Sequence, residues 1–324
     1  MRKLVLGIII ALGAGVGADS TSGLDRIVDE GLRHSQVMQT AEYLDDRIGG
    51  RLTNSPAMRE AETWTQGQFK AWGLRNVRKD GFEFGRGWSV TSSSVKMVAP
   101  RALALTAMPV AWSPSTNGVI SAPIIVAPMK HERDLQPWHG KLTGKIVLVS
   151  LPDDGSEPAE APFKRLGPDD IAKLDKYENP KIDPSEVEKV FNVDNGSGRI
   201  HGIHAEGNVD AAGLLRDWLT PFASMGAGTV VASPTGGTDH VFMQAVGIPA
   251  YQFIQDPLDY ESRVHHSGID TFDHLKADDL RQASVVLAGV LFEAANSAKT
   301  LPRIPIPTQG TPTNPFKYDD PDTE

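Results

Sequence analysis

The sequence predicts an α/β fold. Two kinds of segment carry that prediction: helical stretches bounded by their own start and stop residues, and short runs of branched apolar residues set between turns. The clearest helix signal runs from about Asp278 to Ala295, where Leu280, Ala283, Val286, Leu287, Val290, Leu291 and Ala294 recur at helical spacing along one face. The clearest strand signals are Ile124-Ile125-Val126, the run from Gly144 to Val149, Thr229-Val230-Val231 and Ala250 to Ile254.

In chain order, Leu24 to Ile48 reads as one amphipathic helix stopped by Gly49-Gly50. A second helix starts at Ser55 as cap, with Pro56 in its first turn and Ala61, Trp64, Phe69 and Trp72 as its apolar residues. Gly73 stops it. Phe82-x-Phe84 and Val95-x-Met97 alternate as strands do. From Leu103 to Leu151 the pattern becomes β-rich, with Val119-Ile120 as a further strand expectation. Residues 152–189 are rich in Asp, Glu, Lys and Pro, with one short helix expected from Asp169 to Tyr177, and read as a mobile linker. The α/β pattern returns with a strand through Phe191-Asn192-Val193, a turn at Asp194-Asn195-Gly196, and a helix near Ala211 to Phe222. After Thr300 the chain reads as an extended or disordered tail. The expected division is therefore 1–18, 19–102, 103–151, 152–189, 190–299 and 300–324.

Residues 1–18 have the layout of a secretory signal: Arg2 and Lys3, an apolar run from Leu4 to Leu12, then small residues ending Val16-Gly17-Ala18. A secreted or periplasmic protein is expected. The apolar run is shorter than the roughly 20 residues a membrane-spanning helix needs, so no stable membrane insertion is expected after signal removal. The whole chain has 32 basic and 41 acidic residues and a net charge of -9; removing Arg2 and Lys3 lowers the net charge to -11. Such a surface argues against nucleic acid or an anionic membrane as the main partner. There is no cysteine, which excludes disulfides, thiol catalysis and thiolate zinc ligands. A zinc site in this chain must use His, Asp or Glu.

Three places carry residues suited to such chemistry. Asp194 ends an apolar strand and enters a glycine-containing turn, so it suits either a ligand carboxylate or a simple turn former. His265 and His266 are adjacent, and neighbours on an extended strand face opposite ways, so one is a ligand candidate and the other a packing or hydrogen-bonding residue; equally, the pair before a turn can be wholly structural. Asp239-His240, after Gly236-Gly237-Thr238, could line a pocket or orient a ligand; equally, Asp239 could cap a helix over Val241 to Val246. His34, His131, His139, His201, His204 and His274 show no ligand-like spacing and read as surface or core residues. No Gly-x-Ser-x-Gly occurs, which removes the commonest serine hydrolase signature.

Taken together, Ile48-Gly49-Gly50-Arg51-Leu52-Thr53-Asn54-Ser55-Pro56, the strand LTGKIVLV, FNVDNGSG, GGTDHVFMQAVGIPA and HHSGIDTFDHL resemble the carboxypeptidase Q-like secreted members of metallopeptidase family twenty-eight. The resemblance implies a mixed-sheet zinc-exopeptidase domain with a β-rich protease-associated insert, here partial. It also implies two zinc ions per site and a peptide substrate, with Asp194 as a ligand of one zinc and His266 of the other. His266 rather than His265 aligns, because it directly precedes Ser267-x-x-Asp270-Thr271. Asp239 and His240 match a substrate-binding or outer-shell pair. The oligomeric state stays open, with a homodimer as one expectation.

The chain departs from that family in what it lacks. The family pattern has a His-x-Asp, a bridging Asp and a Glu-Glu pair that supplies the general base; this sequence has no usable His-x-Asp and no Glu-Glu. A central block of the peptidase domain is therefore expected to be missing, leaving the domain incomplete. Without its base, metal-activated water should react about 10²–10⁴-fold more slowly. The function expected from the resemblance is zinc-dependent removal of terminal residues, impaired in this chain. The alternatives are a peptide-binding pseudoenzyme and a truncated product with no independent function.

Overall fold

The computed structural model describes residues 20–151, 156, 161–174, 190–235 and 238–303. The expected signal at 1–18, most of 152–189, Gly236-Gly237 and all of the tail beyond Arg303 lie outside the described residues. The chain divides into two compact units: residues 1–41, 164–261 and 272–324 form the first, and 42–163 with 262–271 the second.

The first unit is built on a four-stranded mixed sheet of β5 (Val190–Asn192), β6 (Ile200–His204), β7 (Thr229–Val231) and β8 (Ala250–Gln255), in the order β5-β8-β6-β7. β5 runs parallel to β8, β6 parallel to β7, and β6 antiparallel to β8. One face carries Phe191, Tyr251 and Phe253, the Phe191 ring lying tilted 5.7 Å from Tyr251 and 6.1 Å from Phe253 between centroids. Helices α1 (Ser20–Arg33), α5 (Ala212–Leu219) and α7 (Ala277–Asn296) supply the rest of this core through Leu215, Leu219, Val285, Val286 and Val290. Close approach there depends on glycine: a side chain at Gly289 would enter the Phe222 ring, and one at Gly31 would meet Val285. Phe222 and Phe253 are fully buried, and truncating either to Ala should cost about 3–5 kcal/mol.

On the opposite face Asn192 and Gln252 are register partners, because alternate strand residues point to opposite sides. α6 (Asp239–Ala245) packs against β8 and β5. α4 (Pro168–Leu174) borders a cavity of about 360 Å³ with Thr229 and Val231 of β7. No titratable side chain lines that cavity, so it holds none of the candidate chemistry.

Local sequence accounts for the element ends. In α3 (Pro56–Ala71) the Ser55 hydroxyl accepts from Met58 N–H at 3.1 Å. At its other end Gly73 (φ 84°) donates to Lys70 O while Leu74 donates to Phe69 O, which satisfies the last carbonyls. Gly226 (φ 85°) closes the 3₁₀ turn Thr220–Met225 in the same manner. The single helix expected over Leu24 to Ile48 is instead α1, α2 (Val37–Glu42) and a π-helical turn Tyr43–Ile48. Ser35 causes the break, its hydroxyl accepting from Val37 N–H and starting a new helix. β6 carries no clear strand signal in the sequence, because two histidines and a glycine break up its apolar residues and its burial comes from pairing with β7 and β8. A Cβ at Gly202 would enter the Thr229 carbonyl, so β6 and β7 pair closely only because that residue is glycine.

The second unit holds α3, the antiparallel pair β1 (Val95–Met97) and β2 (Leu103–Leu105), and the parallel pair β3 (Ile124–Val126) and β4 (Ile146–Leu148). Among the described residues neither pair joins a larger sheet. Phe82 to Phe84 and Val119-Ile120, expected as strands, are irregular because no neighbouring strand takes up their backbone groups; Val119 is fully exposed.

Candidate metal and peptide site

Asp194 follows β5 at the surface of the first unit. Its Oδ2 accepts from the Thr238 hydroxyl at 2.7 Å, and its Oδ1 lies 3.5 Å from the Tyr260 hydroxyl. Thr238 is the N-cap of α6, so the cap of one helix is shared with the carboxylate at the end of β5. Asp239 is the first residue of that helix and is exposed; Thr238, one residue earlier than expected, does the capping.

His240, next along α6, is fully buried. Its Nδ1 lies 3.5 Å from the Asn192 amide nitrogen and its Nε2 lies 3.0 Å from Thr235 Oγ1. Thr235 Oγ1 donates its one proton to Glu206 Oε1 at 2.6 Å, so it must accept from His240. That places the imidazole proton on Nε2 and leaves Nδ1 to accept from Asn192. Glu206 closes the chain of contacts. Its side chain has no exposure, its Oε2 accepts from Thr235 N–H at 2.7 Å, and it sits at φ 54° in a turn that aims the carboxylate inward. His204 belongs to the same cluster, with Nδ1 3.1 Å from Ser233 O. Burial holds its pKa below the ordinary value and His240 pushes the same way, against the upward pull of Glu206 and Ser233.

His266 lies in the second unit. It is exposed, has φ 55°, and its ring centroid is 3.8 Å from that of His265. The turn continues through Gly268, against which Met108 packs. Nearby, burial raises the pKa of Asp45; the Arg51 guanidinium opposes that, and the Asp270 carboxylate adds to it.

The sequence-predicted residues therefore fall into two groups. Asp194, Asp239 and His240 share one neighbourhood through Thr238 and Asn192, and His266 sits in a separate turn beside Met108. Glu206, Thr235 and His204 were not singled out by sequence reasoning. The available signal was His204-Ala205-Glu206-Gly207, a polar pair leaving a strand into a glycine turn. His201 and His274 are also held by acids, with Nε2 of His201 2.8 Å from Asp256 and Nδ1 of His274 2.6 Å from Asp259.

Within the first unit, Asp194, Asp239 and His240 do not by themselves complete a zinc shell among the described residues. Zinc takes about four donors, and a two-metal site needs a carboxylate between the ions. Among the described residues no three His, Asp or Glu side chains converge as a metal group. Asp194 is engaged by hydroxyl donors, and both ring nitrogens of His240 face protein partners inside the core. What the arrangement does offer is hydrogen bonding: an exposed carboxylate and two hydroxyls above a buried amide–imidazole–hydroxyl–carboxylate relay.

No protein-family model and no curated protein matches the chain. Among solved structures it is similar to a peptidase M28 precursor from Shewanella amazonensis SB2B, with a TM-score of 0.59 and 16% identity over 88% of this chain and 99% of that one. Two structures of a zinc aminopeptidase from Bacillus subtilis align at TM-scores of 0.45 and 0.47, with 14% and 13% identity. Each alignment covers 80% of this chain and 94% of the other. The chain has the mixed-sheet α/β fold of a solved M28 peptidase.

Proposed function

We propose that this chain is a carboxypeptidase Q-like relative of the zinc exopeptidases, secreted or periplasmic. It takes peptides as its ligand but is impaired in hydrolysing their terminal bonds. The fold likeness supports the placement, and the motifs FNVDNGSG, GGTDHVF and HHSGIDT support the finer one. The impairment rests on a single observation: Asp194, His240 and Glu206 are committed to Thr238, Asn192 and Thr235, and no third ligating side chain stands beside them among the described residues.

A pair of zinc ions, where bound, would supply activated water for attack on a terminal peptide bond. Here the chain's own residues do other work. Thr238 orients Asp194 at the surface, and the buried relay from Asn192 through His240 and Thr235 to Glu206 fixes the start of α6. An isolated pair of protein ligands binds zinc weakly, because water must fill the remaining positions.

Equilibrium dialysis of the purified chain against zinc tests this reading. Binding should be weak and well below two ions per chain at micromolar metal. Tight binding of two ions, lost in Asp194→Ala, would overturn it.

The alternative of a non-catalytic peptide-binding protein is favoured by the intact Asp194–Thr238–Asn192 hydrogen bonding. That network leaves an exposed acceptor on a rigid helix cap.

A further inference from the structure

The helix α4 rests on the first unit without being packed into it. None of its residues is buried, and between it and β7 lies the cavity of about 360 Å³ lined by Pro168, Ile171, Ala172, Thr229 and Val231. Among the described residues α4 makes no hydrogen bond to β7. Its polar ties are to its own segment. Asp170 Oδ2 accepts from Gly167 N–H at 3.0 Å, and the Lys164 and Lys173 ammonium groups lie 3.8 and 3.9 Å from Oδ1. A segment with little apolar burial and its own internal bonds is the kind that opens while the rest stays folded.

What holds it is the stretch just before the helix. Lys164 N–H donates to Leu258 O at 2.8 Å, Leu258 N–H donates to Lys164 O at 2.9 Å, and Leu166 N–H donates to Asp256 Oδ1 at 2.7 Å. Between them Arg165, 44% exposed, donates to Asp256 Oδ2 at 3.0 Å and to Asp279 Oδ2 at 2.7 Å. Both acids are buried, yet neither is stranded when Arg165 leaves. Asp256 keeps His201 at 2.8 Å, and Asp279 keeps Arg199 at 3.3 Å. Stripping a buried acid of its last partner is severely unfavourable; taking one of two is much less so.

We propose that residues 164–174 form a strap that opens as a unit from the folded chain, with Arg165 as its latch. Opening uncovers the cavity and the Thr229 and Val231 side chains that line it. Those belong to an edge strand, since β7 pairs with β6 alone among the described residues. Closed, the strap shields that side of the edge strand from contact with other chains. The latch is the guanidinium fork, which spans two acids on different elements; the backbone bonds beside it are ordinary and give way once it lets go. This device is independent of the exopeptidase reading and needs neither zinc nor peptide.

The test is hydrogen exchange of the full chain, read at single amides. Lys164, Leu166 and Ile171 should exchange faster than the amides of β6 and β8. Leu258 is the discriminating probe. It is buried, but its amide bonds to the strap, so it should exchange with the strap and not with the sheet. Arg165→Met, which keeps the aliphatic stem, should speed all four amides about tenfold and leave β6 and β8 unchanged. In the native chain, raising salt from about 50 to 500 mM should speed the same four several-fold, because the latch is partly in water. If Arg165→Met fails to fold, the salt series decides alone. Strap and sheet amides accelerating by the same factor, Leu258 exchanging with the sheet, or no acceleration of the strap would each overturn the proposal.

Discussion

His201 Nε2 lies 2.8 Å from Asp256 Oδ1, and that contact joins β6 to the loop after β8. Asp256 is 1% exposed and also accepts from Leu166 N–H at 2.7 Å and from Arg165 at 3.0 Å. Arg165 reaches on to Asp279 at 2.7 Å, so one guanidinium ties the segment before α4 to both the sheet and α7. Burial alone would raise the Asp256 pKa, but the His201 hydrogen bond, the Leu166 amide and Arg165 outweigh it and hold the value below the ordinary one.

A pH dependence follows on the acid side. Because the folded value is depressed, the stabilisation is complete above the unfolded value near 4 and is lost as pH falls through the folded value. Asp256→Asn should cost about 3 kcal/mol at neutral pH and flatten the acid arm of a urea stability curve. The figure sits at the low end for a broken buried pair because Arg165 is partly in water. An unchanged acid arm would refute the assignment.

His204 makes a second pH prediction. Its folded pKa is lowered, chiefly by burial, so the unfolded chain binds the extra proton first. Stability is therefore full above about 6.5 and declines as pH falls below it. His204→Gln should reduce the slope of stability between about pH 6.5 and 5. Thermal melts across that window provide the check.

Thr235→Val tests the buried relay. It removes the hydroxyl that donates to Glu206 at 2.6 Å and accepts from His240, leaving a carboxylate in the core with the Thr235 amide as its remaining close donor. Denaturant unfolding should show a loss of about 2–4 kcal/mol, against under about 0.5 for a Thr→Val change at an exposed site.

Gln252 predicts a gain rather than a loss. It is fully buried in β8, and neither atom of its amide has a hydrogen-bond partner among the described residues. Gln252→Leu keeps a similar volume and removes the unsatisfied group, so it should stabilise the chain by about 1–2 kcal/mol. A destabilised variant would mean that the amide has a ligand in the native protein.

The sequence made the punctuated elements legible, and the structure explains which ones. α3 and α7 lie within a residue or two of their expected spans, because cap, proline, glycine and apolar spacing are all local signals. The strand β7 is where Thr229-Val230-Val231 placed it. β6 was missed because its burial comes from pairing with β7 and β8, which no local pattern records. The site was legible only in part. Asp194, Asp239 and His240 are neighbours, but the partners that decide their chemistry, Thr238, Thr235 and Glu206, are ordinary polar residues until the fold brings them together.

The chain has the fold of a solved M28 peptidase, and we propose that it lacks a working metal centre. The direct measurement is turnover of dipeptide and aminoacyl amide substrates by the purified chain with zinc supplied. Rates should stay close to those of zinc in buffer and be unchanged in Asp194→Ala and His266→Ala. Robust zinc-dependent turnover that either substitution abolishes would contradict it.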